Sequence, residues 1–555
     1  MTVVKSKPAG YAMTWAAVLI AVAGAVSWAR PCAAQTSVSA NHTGARNEPG
    51  ASLVAEGIAA FERNDLTAAQ SFFHKALEAN PKDIAAHTYL GIIADRAGKL
   101  EQAERHFAIA AQLAPSSARA RNNYGAILLR LGREREAAAE FEASLRVDAK
   151  QPNALVNLAQ IHFARGSPED LRAAQELFAR AYEVAPDAEI ARALTVVALR
   201  RHDRAAAIAN FRRYSERLAE ATAATKSAAA RAELGAALFE AGLLTEAETE
   251  LKAAVEADPA NTDALIRLAR TYLARKDLPS AGRVLETSVA RGFDSAPVYA
   301  LLAEVYEQGG HIENAITAMR LAIQRDPQSE RYRFAYGILL TNAQAPAAAV
   351  IRLEESLKLF PASARLWFAL GLAHFKQNKN SEAADALTRA IKLDPGYAPA
   401  YAYLAMTRVE IGRYEEAVRL YEQALKTDEK LGVVHYLIAE ALLKQSPDET
   451  ASIEWRLKRT IEMDPTFTPA RLALGKLYFR TGRLTEAAAE LERVIAAAPE
   501  QAEAYYQLGR VYGRLKRTAE ANAALARFKS LSDAQKEQAQ NEQREIVRRL
   551  ANVRF

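Results

Sequence analysis

The chain has 555 residues, of which half are hydrophobic and a quarter charged, with an ordinary glycine content and one cysteine. That composition excludes a disordered tract or a multispanning membrane protein, and a formal charge of +6 without any concentrated basic block argues against a nucleic-acid partner. A chain this long exceeds what one hydrophobic core usually holds, so it divides into several domains or is built by internal repetition.

The first 34 residues carry an export pattern. Lys5 and Lys7 precede an apolar stretch from Trp15 to Ala29, and Cys32-Ala33-Ala34 supplies small residues for cleavage before Gln35. The apolar run is shorter than the roughly 20 residues a spanning helix needs, and Arg30 closes it. The expectation is therefore a cleaved signal peptide (1–34), a periplasmic or secreted chain, and no stable membrane span after cleavage. An uncleaved N-terminal anchor is the alternative. Lipidation is not expected, because Ala29 stands where a lipobox has a leucine-like residue. Cleavage removes three cations and no acid, so the charge falls from +6 to +3, and it removes Cys32, leaving no disulfide. Residues 35–49 are polar and unpatterned, a flexible lead.

From residue 50 a period of 34 takes over. Gly57, Gly91 and Gly125 keep it, as do Gly337 to Gly371 and Gly475 to Gly509. Alanines repeat it through Ala69, Ala103 and Ala137, through the series from Ala247 to Ala417, and again at Ala487 and Ala521. Prolines follow 12 residues after the alanine position, as at Pro81, Pro115, Pro259, Pro327, Pro361, Pro395 and Pro499. Gly98, Gly132, Gly242, Gly310, Gly412 and Gly482 lie five residues before the alanine, where a first helix would close in the left-handed conformation. Each unit thus predicts two helices, the second ended by proline. Spacing lengthens around Gly166 to Arg172, across 215–227 and near Gln445 to Thr450. These insertions are expected in turns, with a bend or loosening at 215–227.

These ladders resemble the tetratricopeptide repeat (TPR) family. The unit from Ala364 to Tyr397 shows the pattern best, with Trp367, Leu370-Gly371, Ala383, Ala390 and Pro395 in place, and Phe73, Phe107, Phe141 and Phe178 fill the aromatic position of early second helices. The resemblance implies an all-α, right-handed superhelical solenoid of about fourteen repeats, here an N-terminal array (50–221), a C-terminal array (222–535) and a polar capping helix (536–555). A partner-binding tail is the other reading of that last segment.

In this family the first helices line a groove that takes extended peptides or partner helices. By carry-over the fifth position gives Asn122, Phe334, Phe368, Tyr436 and Tyr506, and the ninth gives Gln160, Arg270, Glu304, Lys476 and Arg510. The rings could equally pack between neighbouring first helices. The family's clamp for a terminal carboxylate is missing, since Asn122, Asn123, Asn153 and Asn157 have only Arg119 beside them.

No phosphate loop, GxSxG elbow, HExxH or cysteine pair is present, so no enzyme activity, cofactor or metal is expected. His87 and His435 occupy the unit position of Trp367, and His162 and His374 that of Tyr272 and Tyr306, which are packing positions. The sequence points to a bacterial envelope scaffold or adaptor with protein or peptide partners. A regulatory subunit of an envelope enzyme, such as a glycosyltransferase or polysaccharide exporter, and a receptor for glycans or small ligands remain open alternatives, as does the oligomeric state.

Overall fold

The computed structural model describes residues 49–223 and 225–532. The expected signal peptide (1–34), the lead at 35–49 save its last residue, and the C-terminal helix at 536–555 lie outside the described residues. Among the described residues there are 28 α-helices and no strand. They fall into fourteen antiparallel pairs, and the chain is an all-α solenoid of helix pairs.

One pair shows how the sequence builds the rest. Ser363 caps the helix Ala364–Lys376 by accepting from Leu366 N at 3.1 Å. Asn378, at φ 59°, turns the chain into Asn380–Leu393. Counting Ala364 as position 1, Gly371 is position 8 and faces Leu387 so closely that an added Cβ would lie 2.6 Å from Leu387 Cγ. Ala383 and Ala390 are fully buried on the second helix. In the early pairs phenylalanine takes the place of Leu387: Phe73 approaches Gly57, Phe107 Gly91 and Phe141 Gly125. Each buried ring contributes roughly 1.5 to 3 kcal/mol by leaving water.

The expected turn glycines all have positive φ, from 72° at Gly98 to 79° at Gly482. Asn64, His202, Lys276, Gln344, Asn378 and Lys516 adopt the same conformation at the same position in other pairs. The exception is Ser446, at φ −136°, in the pair where two residues are inserted. The insertion near Gln445 to Thr450 therefore does sit in a turn, between helices Gly432–Gln445 and Thr450–Met463.

The insertion around Gly166 to Arg172 does not. It lengthens the second helix, Pro168–Val184, to 17 residues against 14 in most of its counterparts. Ser167 accepts from Asp170 N at 3.1 Å, Pro168 stands at the first helical position, and Glu169 and Asp170 face the positive end of the helix, so the added residues start the helix early.

In 215–227 the described residues are tied to the preceding pair. The short 3₁₀ turn Leu218–Glu220 follows the helix Arg204–Arg217, and the Thr222 and Thr225 hydroxyls donate to Glu189, the latter at 2.9 Å. Tyr214 replaces the small residue found at this point of most other pairs. It is fully buried, and its hydroxyl donates to Glu250 at 3.2 Å in the following pair. This hydrogen bond joins one pair to the next, and by its internal contacts the chain divides into two compact units, one ending at Phe293 and the other beginning at Asp294.

Each unit holds seven pairs. Within each, neighbouring first helices touch directly, for example Glu330–Asn342 against Ala364–Lys376, a closeness that second helices do not match. The second unit has a continuous core running from Phe334 to Ala521. A single pair cannot bury its apolar face, so this continuity along the stack is the source of its stability.

Candidate functional site on the first-helix face

The fifth position of one first helix meets the sixth position of the next. Asn157 donates to Asn122 Oδ1 at 3.2 Å, and Phe368 meets Tyr403 edge to face at 5.4 Å. The same register brings Arg192 and Glu233 into electrostatic contact. Asn122, Phe334 and Phe368 are consequently buried, with Phe368 also against Tyr397 at 5.2 Å. Packing between helices, not an open groove, accounts for these three. Tyr436 is half-buried against Phe467 at 5.2 Å, and Tyr506 half-buried against Phe528 at 5.1 Å.

The ninth position is more open to solvent. Arg270, Lys476 and Arg510 are exposed. Glu304 is half-buried and accepts from Gln308 at 3.2 Å. Gln160 is half-buried, and its amide nitrogen has no hydrogen-bond partner among the described residues. The ten expected residues are therefore not one surface. They divide into a packed set, Asn122, Phe334 and Phe368, and an accessible row made of the ninth positions together with the half-buried Tyr436 and Tyr506.

Sequence reading missed the residues that complete the accessible row in the last two pairs. Phe479, half-buried at position 12, lies beneath Arg510 with the guanidinium carbon 4.6 Å from its ring centre, and beneath Arg514 at 5.2 Å. The signal was present as an aromatic at position 12 followed by arginine at position 13 of the next first helix, and it recurs in Phe163 with Arg200 at 4.7 Å. Arg200 Nη1 also donates to Phe163 O at 3.1 Å, so this arginine links adjacent pairs through both ring and helix end.

The histidines at the tryptophan position are held by the frame. Trp367 Nε1 donates to Pro361 O at 3.0 Å, and His87 Nε2 reaches Pro81 O at the same distance. A carbonyl only accepts, so Nε2 of His87 carries a proton, and its Nδ1 lies 3.1 Å from His106 Nδ1. His435 Nδ1 is 3.0 Å from Arg456 Nη1. Burial, then the neighbouring His87, His74 and Arg105, push His106 down to about 4, and burial with Arg456 and Arg459 does the same to His435, also to about 4. His162 pairs with Asp170 at 2.7 Å. Among the described residues no group of three His, Cys, Asp or Glu is placed to hold a metal ion, and no helix is long and apolar enough to cross a membrane.

Family models for the tetratricopeptide repeat match residues 54–118, 90–152, 127–170 and 472–535, and another matches 238–305. Over those residues the chain matches the tetratricopeptide repeat. A model for the C-terminal domain of cilia and flagella-associated protein 70 matches residues 282–497. These TPR matches and that domain leave out 171–237, the stretch in which the lengthened second helix and Tyr214 depart from the regular unit. No curated protein matches. Among solved structures, a chain of the APC/C hetero-tetramer Cut9–Hcn1 is 14% identical, with 84% of this chain and 96% of that one covered at a TM-score of 0.38. YrrB, described as a TPR protein with an unusual peptide-binding site, is 22% identical over 34% of this chain and 94% of its own, at a TM-score of 0.29.

Proposed function

We propose that this TPR chain is a non-catalytic scaffold or adaptor of the bacterial envelope, holding protein or peptide partners on its first-helix face. The observation that carries the reading is the division of the first-helix residues: Asn122, Phe334 and Phe368 are used up in packing, while Arg270 in the first unit and Lys476 and Arg510 in the second stand exposed. Arginine and aromatic side chains presented together are the residues that most often anchor polypeptide partners. Helix pairs occupy the chain from Pro49 to Ser532, which leaves that span to the repeats and their surfaces. The envelope location rests on the pattern at 1–34, with its cationic start, apolar stretch and small residues before Gln35. The burial of Phe334 and Phe368 takes two of the four groove rings out of reach of a glycan or small ligand, which favours the polypeptide reading.

The test is crosslinking in living cells followed by affinity capture of a C-terminally tagged chain, with fractionation and N-terminal sequencing of the product. Reproducible envelope proteins and an N-terminus at Gln35 are expected. Fractionation with cytosolic markers would remove the envelope assignment, and failure to recover any polypeptide would remove the scaffold.

A further inference from the structure

We propose that the first-helix face of the last two repeats takes an acidic segment of the partner polypeptide, its carboxylates held by Arg510, Arg514 and Arg480. This rests on the scaffold reading and gives its partner a chemistry.

The arginines of these two repeats fall into two groups. Arg471 pairs with Glu490 at 3.1 Å, Arg483 with Glu454 at 2.6 Å, Arg527 with Glu500 at 3.5 Å, and Arg493 and Arg517 with Glu490 and Glu520. Arg480, Arg510 and Arg514 are all exposed, and among the described residues none of them forms an ion pair. They are held instead by neutral groups. Arg510 lies over Phe479 at 4.6 Å and Tyr506 at 5.6 Å and donates to Gln507 Oε1 at 3.2 Å. Arg514 lies over Phe479 at 5.2 Å and donates to Phe479 O at 3.4 Å, and Arg480 donates to Pro447 O at 2.8 Å. The one acid carried by these two first helices, Glu503, is engaged by Lys476 at 3.0 Å and by Gln507 at 2.7 Å.

Two guanidinium groups are therefore brought over a single ring and fixed there without a counter-charge. Stacking uses the face of a guanidinium and leaves its N–H edge for a carboxylate, which it can meet with two parallel hydrogen bonds. Like charges gathered this way repel, and an anion arriving on them relieves the repulsion as well as forming its own bonds. The cationic patch is short and the chain as a whole is close to balanced at +6, so it suits a few carboxylates rather than the extended phosphate track of a nucleic acid. The arrangement also differs from the family's clamp for a chain end, which needs a basic fifth position, whereas the fifth positions here are Leu472 and Tyr506.

The experiment uses the whole chain and a fluorescein-labelled peptide of alternating Glu and Ser, read by anisotropy against a Gln/Ser peptide of the same length. The Glu peptide is expected to bind, to weaken as salt rises, and to lose affinity about tenfold or more in R510E/R514E. Circular dichroism checks that the variant folds, and R146E, changed at an exposed second-helix position, should bind as the parent does. In R510E/R514E a Lys/Ser peptide should gain what the Glu peptide loses, a reversal that misfolding cannot produce. Equal binding of the Gln peptide, or an unchanged Kd in R510E/R514E, overturns the proposal. So does equally tight binding of single-stranded DNA at the same arginines. If crosslinking still recovers protein partners while the Glu peptide is ignored, the acidic segment is wrong and the scaffold reading stands.

Discussion

Phe368 of one repeat meets Tyr403 of the next edge to face, with ring centres 5.4 Å apart and both residues fully buried. The contact assigns Phe368 to the stacking of repeats. Phe368→Ala should cost about 3 to 5 kcal/mol of stability, seen as a lower denaturant midpoint. A stable variant that had lost only partner capture would return Phe368 to the groove.

Glycines in this chain serve two distinct purposes, and substitution separates them. Gly371→Ala places a methyl 2.6 Å from Leu387 and should cost roughly 1 to 3 kcal/mol through overpacking. Gly412 has φ 74° and nothing within 4 Å of an added Cβ, so Gly412→Ala should cost about 1 kcal/mol from backbone conformation alone. Gly412→Asn should cost less than the alanine, because Asn64 and Asn378 already occupy the equivalent turn. Thermal unfolding of the three variants checks the order.

The buried imidazoles make stability depend on pH. His106 and His435 stay neutral down to about 4, against 6.5 in the unfolded chain. Between those values the unfolded state binds more protons, so stability present at neutral pH is lost as pH falls from 6.5 toward 4. With allowance for the part-exposed rings, each contributes roughly 1 kcal/mol. The His106→Asn, His435→Asn double variant should flatten the curve in this window. Comparison with the parent isolates the rings from Glu250 and Glu307, whose carboxyls burial raises and whose effect has the opposite sign. Parallel curves for the two proteins would refute the assignment.

Ser167 starts the lengthened helix Pro168–Val184. Ser167→Ala removes the acceptor for Asp170 N and should cost about 1 kcal/mol, whereas Ser167→Asp should restore most of it. Equal losses in both would show that the cap does not hold the added turn.

The period of 34 determined by itself the fold class, the number of repeats and the places of the close-packed glycines and turn glycines, because these follow from helix geometry and from steric limits on single residues. Gly371 must be small whatever partner the chain has, and Gly98 must turn left-handed in any packing. What the positions along the first helix do was decided only by tertiary structure. The fifth and ninth residues both lie off the repeat's internal core, and sequence cannot tell them apart. Which one is covered depends on the angle at which the next helix arrives, and that angle buries Phe368 against Tyr403 while leaving Lys476 and Arg510 in solvent. The same dependence hid Phe479: an aromatic and an arginine 35 residues apart mean little until the stack lays one over the other. Nor could length alone say that the added residues near Gly166 would continue a helix while those near Ser446 would form a turn, since capping at Ser167 settled the first and the loss of the left-handed turn at Ser446 marks the second.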